Sequence, residues 1–316
     1  MEKRQLGQSD LHIYPIVFGG NVFGWTTDEK QSFDLLNHFA DAGLNAIDTA
    51  DVYSRWAPGN VGGESEIILG KWFKEKKNRQ QIVLMTKVGS DMGDGKKGLR
   101  KSYIIQACEA SLKRLQTDYI DLYQTHFDDI STPVAETLEA YEELIKAGKV
   151  RWIGASNMTP ERLKESLAAS RERELPEYQT LQPHYNLYAR EGFENGLEPI
   201  AMGHGLGVIT YYSLESGFLT GKYRKHGDII KSPRGGKMDD YLNDRGLKIL
   251  AALDEVAAAY DTSPATVALA WLIQRPSVTA PIVSATNLDQ LESIVQAPDL
   301  HLSPDAVGLL NSASAW

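Results

Sequence analysis

Four residues of this chain carry side chains that together can move a proton onto an oxygen: Asp48, Tyr53, Lys87 and His126. A phenol, with a pKa of about 10, is a weak acid near neutral pH. A neighbouring ammonium favours the phenolate, so Lys87 beside Tyr53 is expected to lower the Tyr53 pKa. Asp48 is expected to hold Lys87, because an unpaired charge in a closed site costs several kcal/mol. His126 would donate to a substrate oxygen. No Ser or Cys stands beside a base, and no Cys/His cluster has metal-ligand spacing. Carbonyl reduction fits this set best, with a cofactor as the hydride source.

Taken singly, each residue has an ordinary explanation. An Asp, Asn or Ser after a strand is commonly a cap or turn residue. The argument rests on their common placement. Eight short apolar runs recur along the chain: 16–18, 45–47, 82–86, 119–125, 150–155, 178–181, 208–211 and 278–283. Amphipathic helical patterns separate many of them, among them "KQSFDLLNHFADAGL", "SEIILGKWFKEK" and "VAETLEAYEELIKAGK". Strands alternating with helices, over connections too long for hairpins, predict an α/β fold with a closed parallel (β/α)8 barrel. An open doubly wound sheet is the alternative, but the G-x-G-x-x-G that would follow its first strand is missing from "FGGNVFGW". The segment "RQLGQSDLHI" reads as a hairpin that plugs the N-terminal end, and extra helices follow the last strand. One barrel domain over 1–316 is expected. For the helix beginning near Val134, Thr132 is expected to cap, Pro133 to take the first helical position and Gly148 to stop it. Glu64 and Glu66 suit the first turn of another helix.

In such a barrel, function collects at the C-terminal ends of the strands. Gly20, Asn21, Asp48, Lys87, His126, Ser156, Asn157, Gln182, Tyr211 and Ser284 fall there. Ser156, Asn157 and Gln182 can hydrogen-bond a carboxamide, and Tyr211 can stack on a nicotinamide ring. Phe23, Trp25, Trp56 and Phe127 follow strand ends and are candidate walls of the substrate pocket.

The formal net charge of −9 makes nucleic acid a poor partner. No apolar run approaches the roughly 20 residues of a membrane span. The start "MEKRQLGQSD" has no signal-peptide core, so a cytoplasmic location is expected. Cys108, the single cysteine, is expected to be buried and inert. The expected partner is a small carbonyl compound. Monomer and homo-oligomer are not distinguished.

The segments "IVFGG", "NAIDTADVY", "GESEIILGKW", "IVLMTKVG", "SLKRLQTDYIDLYQTH", "GKVRWIGASN", "LQPHYNLYAR", "GVITYYSLESGFLTGKY" and "VSATNLDQL" together resemble the aldo-keto reductase superfamily over essentially the whole chain. The likeness is greater to bacterial members and potassium-channel β-subunits than to mammalian aldose reductases. It implies NADPH-dependent reduction of aldehydes or ketones to alcohols. It makes Tyr53 the general acid, tuned by Lys87 and Asp48, with His126 orienting the carbonyl. Ser156, Asn157 and Gln182 would hold the nicotinamide amide and Tyr211 would stack on it. Ser213, Leu214, Ser216 and Gly217 would wrap the pyrophosphate, with Gly20, Asn21 and Lys222 also on the cofactor. Ser284, Thr286 and Gln290 fall where the family binds the adenosine phosphate.

The sequence departs from many NADPH-binding relatives in having no Lys or Arg within "VSATNLDQ" and Ser293-Ile294 where Glu-Asn is common. NADP(H) is the expected cofactor, with NAD(H) as the alternative. The segment 223–237, "YRKHGDIIKSPRGGK", carries Arg224, Lys225, His226, Lys231, Arg234 and Lys237 and could supply the missing charge. Two other functions compete. A nicotinamide-nucleotide-sensing regulatory protein would bind the cofactor and turn over slowly. A glycosidase would need two carboxylates across the mouth, and Asp48 is expected to be committed to Lys87.

Overall fold

The computed structural model describes residues 2–225, 227–228 and 235–316. Strands β1 (Arg4–Gln5) and β2 (His12–Ile13) form an antiparallel hairpin in which Arg4 pairs with Ile13. Then come β3 (Val17–Gly19), β4 (Ala46–Asp48), β5 (Val83–Val88), β6 (Ile120–Thr125), β7 (Val150–Ser156), β8 (Thr180–Gln182), β9 (Gly207–Thr210) and β10 (Ala280–Val283). These run parallel in sequence order, and β10 closes the barrel against β3. The expected (β/α)8 barrel is therefore the observed fold, and each of the eight apolar runs contributes to one barrel strand.

Helices α1 (Glu29–Asp41), α2 (Glu64–Lys76), α3 (Lys101–Leu115), α4 (Val134–Lys146), α5 (Pro160–Glu172), α6 (Glu198–Gly203), α7 (Asp244–Ala259), α8 (Pro264–Ile273) and α9 (Leu288–Val295) lie in the connections and after β10. Helix α10 (Pro304–Ala313) follows and packs on α7. Several helix starts are capped by side chains: Asp28 accepts from the Gln31 N–H, Thr159 from Arg162, and Ser263 from Thr266. Each such bond satisfies a helix-end donor that would otherwise lack a partner. The start of α4 differs from expectation. Pro133 sits one position outside the helix, and Thr132 donates to Asp129 Oδ2 at 2.7 Å. The cap position falls on Pro133, whose side chain has no acceptor, so the helix start has no side-chain cap. Gly148 takes φ 71 just beyond the helix end, as expected of a stop.

The core has two parts. Outward strand residues such as Phe18, Ile47, Leu84 and Tyr123 pack under the helices. Inward residues Val17, Ala46, Met85, Leu122, Ile209 and Ala280 fill the lumen, and Leu6, Leu11 and Ile13 of the hairpin close its lower end. The hairpin is pinned there because Trp152 Nε1 donates to Asp10 at 2.6 Å. Its turn depends on Gly7, at φ 59, where a Cβ would stand 2.1 Å from the Gln179 carbonyl oxygen.

Along a strand, side chains alternate between faces. The lumen layer therefore predicts the residues stacked above it. Two residues past Ala46 comes Asp48, past Met85 comes Lys87, past Leu122 comes Gln124, and past Ile209 comes Tyr211. The apolar floor of the barrel gives way to a polar layer at the C-terminal ends.

Candidate active site

The polar layer opens into a cleft of about 1990 Å³. That is about twice the upper range for an ordinary ligand pocket and leaves room for two ligands. At its floor, Lys87 is fully buried and its ammonium is satisfied in all three directions. Its Nζ donates to Asp48 Oδ2 at 2.5 Å, to the Thr49 carbonyl at 2.8 Å and to Tyr53 Oη at 2.7 Å. The Tyr53 hydroxyl lies 3.4 Å from the same Asp48 oxygen. Gln124 and Gln182 donate to the other oxygen, Asp48 Oδ1, at 3.0 and 3.1 Å. Asp48 thus has both oxygens occupied, which is how a carboxylate at 1% exposure is tolerated.

Electrostatics correct one expectation. The Tyr53 hydroxyl is pushed well above its ordinary pKa, first by burial and then by the Asp48 charge. Contact with Lys87 does not reverse the direction. The buried phenol therefore keeps its proton. Burial also lowers the Lys87 pKa, while Asp48 opposes that shift. His126 is held well below its usual value by burial and by the Lys87 charge, so its imidazole is neutral. Its ring stacks on Phe127 with centroids 4.9 Å apart and meets the Tyr53 ring edge-on at 5.9 Å. Its Nδ1 lies 2.9 Å from Ser90 Oγ, so a serine does stand beside an imidazole, contrary to the expectation from the sequence.

The remaining expected residues divide. Asn21, Ser156, Asn157, Gln182, Tyr211, Ser213, Leu214, Ser216, Gly217, Lys222, Ser284, Thr286 and Gln290 all line the cleft. Gly20 does not. It is buried, its carbonyl accepts from Ser65 Oγ at 2.7 Å, and Gly19 takes the place on the wall. Gln182 commits its amide nitrogen to Asp48 and to Gln124 Oε1. Tyr211 donates to Asn157 Oδ1 at 2.8 Å and stacks one face on His184 at 5.3 Å. Trp25, Trp56 and Phe127 line the cleft, and Trp56 meets both Trp25 and Tyr53 edge-on. Phe23 does not reach it. It is fully buried and stacks on Phe18 at 5.4 Å, because the short helical turn after β3 directs it into the core.

The size and polar lining of the cleft fit a nicotinamide dinucleotide, and because Ser156 Oγ already donates to the Gln182 carbonyl at 2.9 Å and Asn157 Nδ2 to the His126 carbonyl at 2.8 Å, a carboxamide would meet side-chain oxygens there. Amide and hydroxyl side chains stand together at the ends of β7 and β8. Beyond β9, Tyr212, Glu215, Ser216 and Gly217 all have left-handed φ between 45 and 97, and in this curl the Glu215 and Gly217 N–H groups donate to the Tyr212 and Leu214 carbonyls at 2.7 and 2.9 Å. Glu215 holds the curl: its buried carboxylate accepts from His184 Nε2 at 2.8 Å, Asn186 Nδ2 at 2.5 Å and Tyr241 Oη at 2.6 Å. Lys222 follows on the wall. Of the basic segment, Arg224 is held by both oxygens of Asp254 at 2.8 and 2.6 Å and lies off the cleft lining, as does Lys225. His226, Lys231, Arg234 and the Lys237 side chain lie outside the described residues.

Sequence reading missed Gln124, Ser90, Glu215 and Asp51. Strand alternation from Leu122 through Gln124 to His126 could have found the first. Glu66 carries more than a helix-start charge: it accepts from Arg114 Nε at 2.6 Å and from Thr86 Oγ1 at 2.6 Å. Asp51 lies near this pair, buried, and among the described residues no side chain hydrogen-bonds either carboxyl oxygen. Its pKa is pushed up to about 8, first by burial and then by the Glu66 charge. Cys108 is buried, and its thiol is pushed up to about 12 by burial, in keeping with an inert core residue. Among the described residues, no group of His, Cys, Asp and Glu could hold a metal ion, and no single helix is long and apolar enough to cross a membrane.

Comparison with known proteins agrees with this geometry. The model of the aldo/keto reductase family matches residues 15–315. "Uncharacterized oxidoreductase YrpG" of Bacillus subtilis is 35% identical over 98% of this chain and 95% of its own length. "Probable voltage-gated potassium channel subunit beta" of Arabidopsis thaliana is 32% identical over 95% of this chain and 92% of its own. "Protein tas" of Escherichia coli is 29% identical over 97% and 96%. With a closed parallel barrel, a Lys–Asp–Tyr floor and a family match over nearly its whole length, the chain belongs to the aldo/keto reductase family.

Proposed function

We propose that this protein is an NADPH-dependent oxidoreductase that reduces aldehydes or ketones to alcohols, with Tyr53 as general acid. One observation carries the reading: Tyr53 Oη sits 2.7 Å from a fully buried ammonium, beside a neutral imidazole, on the floor of an open cleft. The nicotinamide cofactor, when bound, supplies the hydride. The chain's own residues do the rest. Tyr53 delivers its proton to the oxygen that becomes the alcohol. Lys87 stabilises the phenolate left behind, and Asp48 keeps Lys87 in place. His126 donates to the carbonyl oxygen and orients it. Trp25, Trp56 and Phe127 give the substrate an aromatic-walled approach.

The preference for NADP(H) rests on family resemblance and on Lys222 at the cleft wall, since a 2′-phosphate needs positive charge or several donors. A small-molecule carbonyl is the proposed partner and the cytoplasm the proposed location. A reduced, buried cysteine is at home there. NADPH oxidation over a panel of aldehydes, ketones and sugar-derived carbonyls, repeated with NADH, tests the reading. Tyr53→Phe should lower kcat about 10²–10⁴-fold, the usual worth of general acid catalysis, with nucleotide affinity unchanged. A Tyr53→Phe enzyme with near wild-type kcat would remove Tyr53 from the mechanism.

A second reading draws on the Arabidopsis relative, whose name is that of a channel subunit: the protein senses nicotinamide nucleotides and turns over slowly. A single burst of cofactor oxidation without steady turnover on any carbonyl would favour it.

A further inference from the structure

Ser90 belongs to no expected set, yet it contacts one of the four central side chains. It follows β5 by two residues, is 7% exposed and lines the cleft. We infer that Ser90 is a positioning residue: its hydroxyl donates to His126 Nδ1, fixes the imidazole as the Nε2–H tautomer and presents that hydrogen to the substrate oxygen. The inference rests on the reading of this cleft as a carbonyl reductase site.

The hydrogen count decides the direction of the bond. Ser90 Oγ and His126 Nδ1 are 2.9 Å apart, and either could donate. If Nδ1–H donated to Oγ, the serine's own hydrogen would need another acceptor. Among the described residues Oγ has no second partner. A buried O–H without an acceptor costs about 1–3 kcal/mol. If Ser90 donates instead, its hydroxyl and Nδ1 are both satisfied, and the single proton of a neutral imidazole must sit on Nε2.

The ring has little freedom to evade this. Phe127 covers one face at an interplanar angle of 23°, and the Tyr53 ring abuts it at 75°. The His126 backbone is held at both ends, by its N–H to the Val88 carbonyl at 2.8 Å and by its carbonyl from Asn157 Nδ2 at 2.8 Å. Among the described residues Nε2 has no partner, and it is the remaining polar atom of a cleft-lining side chain. An imidazole in the other tautomer would turn a lone pair toward the substrate carbonyl, where two acceptors would repel. Ser90 thus decides whether His126 can donate at all, without touching the substrate itself.

Nitrogen-15 NMR of the histidine side chains reads the tautomer directly, with His126→Gln identifying the resonance among the seven histidines. Wild type should show a protonated Nε2 and a bare Nδ1 from about pH 6 to 9. In Ser90→Ala the preference should be lost. kcat/KM for aldehydes should then fall on the order of tenfold to a hundredfold, by analogy with the loss seen when a partner orienting a metal-ligating histidine is removed. The NADPH dissociation constant should stay put. Ser90→Thr, which keeps the hydroxyl, should restore both the tautomer and the rate. A protonated Nδ1 in wild type overturns the inference. So does a Ser90→Ala protein with an unchanged tautomer or an unchanged kcat/KM, or a folded Ser90→Thr protein that recovers neither. The NMR measurement needs no turnover. A wild type that reduced no carbonyl would sink the reductase reading, while the tautomer would still be decided on its own evidence.

Discussion

Gln124 Nε2 donates to Asp48 Oδ1 across 3.0 Å, although β5 lies between the strands that carry them. The bond crosses the lumen, and it has room because Gly154 faces it: a Cβ there would stand 3.2 Å from Gln124 Cγ and 2.2 Å from Thr180 Oγ1. With Gln182 on the same oxygen, the two amides fix the carboxylate so that Oδ2 faces Lys87. Gln124→Leu roughly keeps the volume and removes both the donor to Asp48 and the acceptor of Gln182. Stability should fall by about 1–3 kcal/mol, the cost of a lost buried hydrogen bond. Urea midpoints measure the first effect and steady-state aldehyde reduction the second, in which kcat should drop with little change in NADPH affinity. Wild-type values for both would show that Asp48 needs only Lys87 and Gln182.

Lys87→Met should be the most damaging change at the floor. It leaves Asp48 buried without its counter-charge, which typically costs about 3–5 kcal/mol. Adding Asp48→Asn removes the orphaned charge, so the double variant should regain much of the lost stability while staying inactive. Additive losses in this cycle would mean that the 2.5 Å contact contributes no coupling.

Asp51 should make stability fall as pH rises. Its folded pKa of about 8 lies above the ordinary carboxylate value, so the folded protein keeps a proton that the unfolded chain releases. The contribution is fully present below about pH 4 and is lost as pH rises through about 8, amounting to a few kcal/mol at most. Besides burial, the groups acting on it are Glu66 of α2, which raises its pKa, and Arg114 of α3, the Val52 backbone N–H and Lys87 of β5, which lower it. Asp51→Asn should flatten the profile between about pH 5 and 9. Denaturant midpoints at three pH values suffice, and a wild-type midpoint that holds steady across them would contradict the assignment.

Lys222→Ser should weaken NADPH and leave NADH nearly untouched. The effect should shrink as salt rises, because exposed charges are screened over roughly 10 Å at 0.1 M. Arg224→Ser is the control, since its guanidinium is occupied by Asp254. Nucleotide fluorescence titration gives both dissociation constants. Should Arg224→Ser alone weaken NADPH, the charge that reads the 2′-phosphate belongs to Arg224 and not to Lys222.

Much of the architecture was legible in the sequence, because eight apolar runs separated by helical patterns admit few closed arrangements. Asp48, Tyr53, Lys87 and His126 were legible too, since each stands at or just past a strand end, where a barrel has only one mouth to offer. The NADP preference, by contrast, rested on family resemblance and on the basic segment 223–237, whose Arg224 and Lys225 lie off the cleft lining. The chain alone left open matters of direction and surroundings. Phe23 was expected on the pocket wall, but a turn of helix after β3 rotates it into the core. Thr132 was expected to cap α4, but the helix starts at Val134 and its cap position falls on Pro133. The shift of the Tyr53 hydroxyl was expected downward from Lys87 alone, yet burial by several elements together, with Asp48, sends it up. Ser90 and Gln124 carry no motif of their own. Their parts emerge only when the β5 end meets His126 and β6 faces Asp48 across the lumen. The period of a strand fixes which side a residue faces, but the partner it finds there, and how much water that partner excludes, depends on distances that only the closed barrel sets.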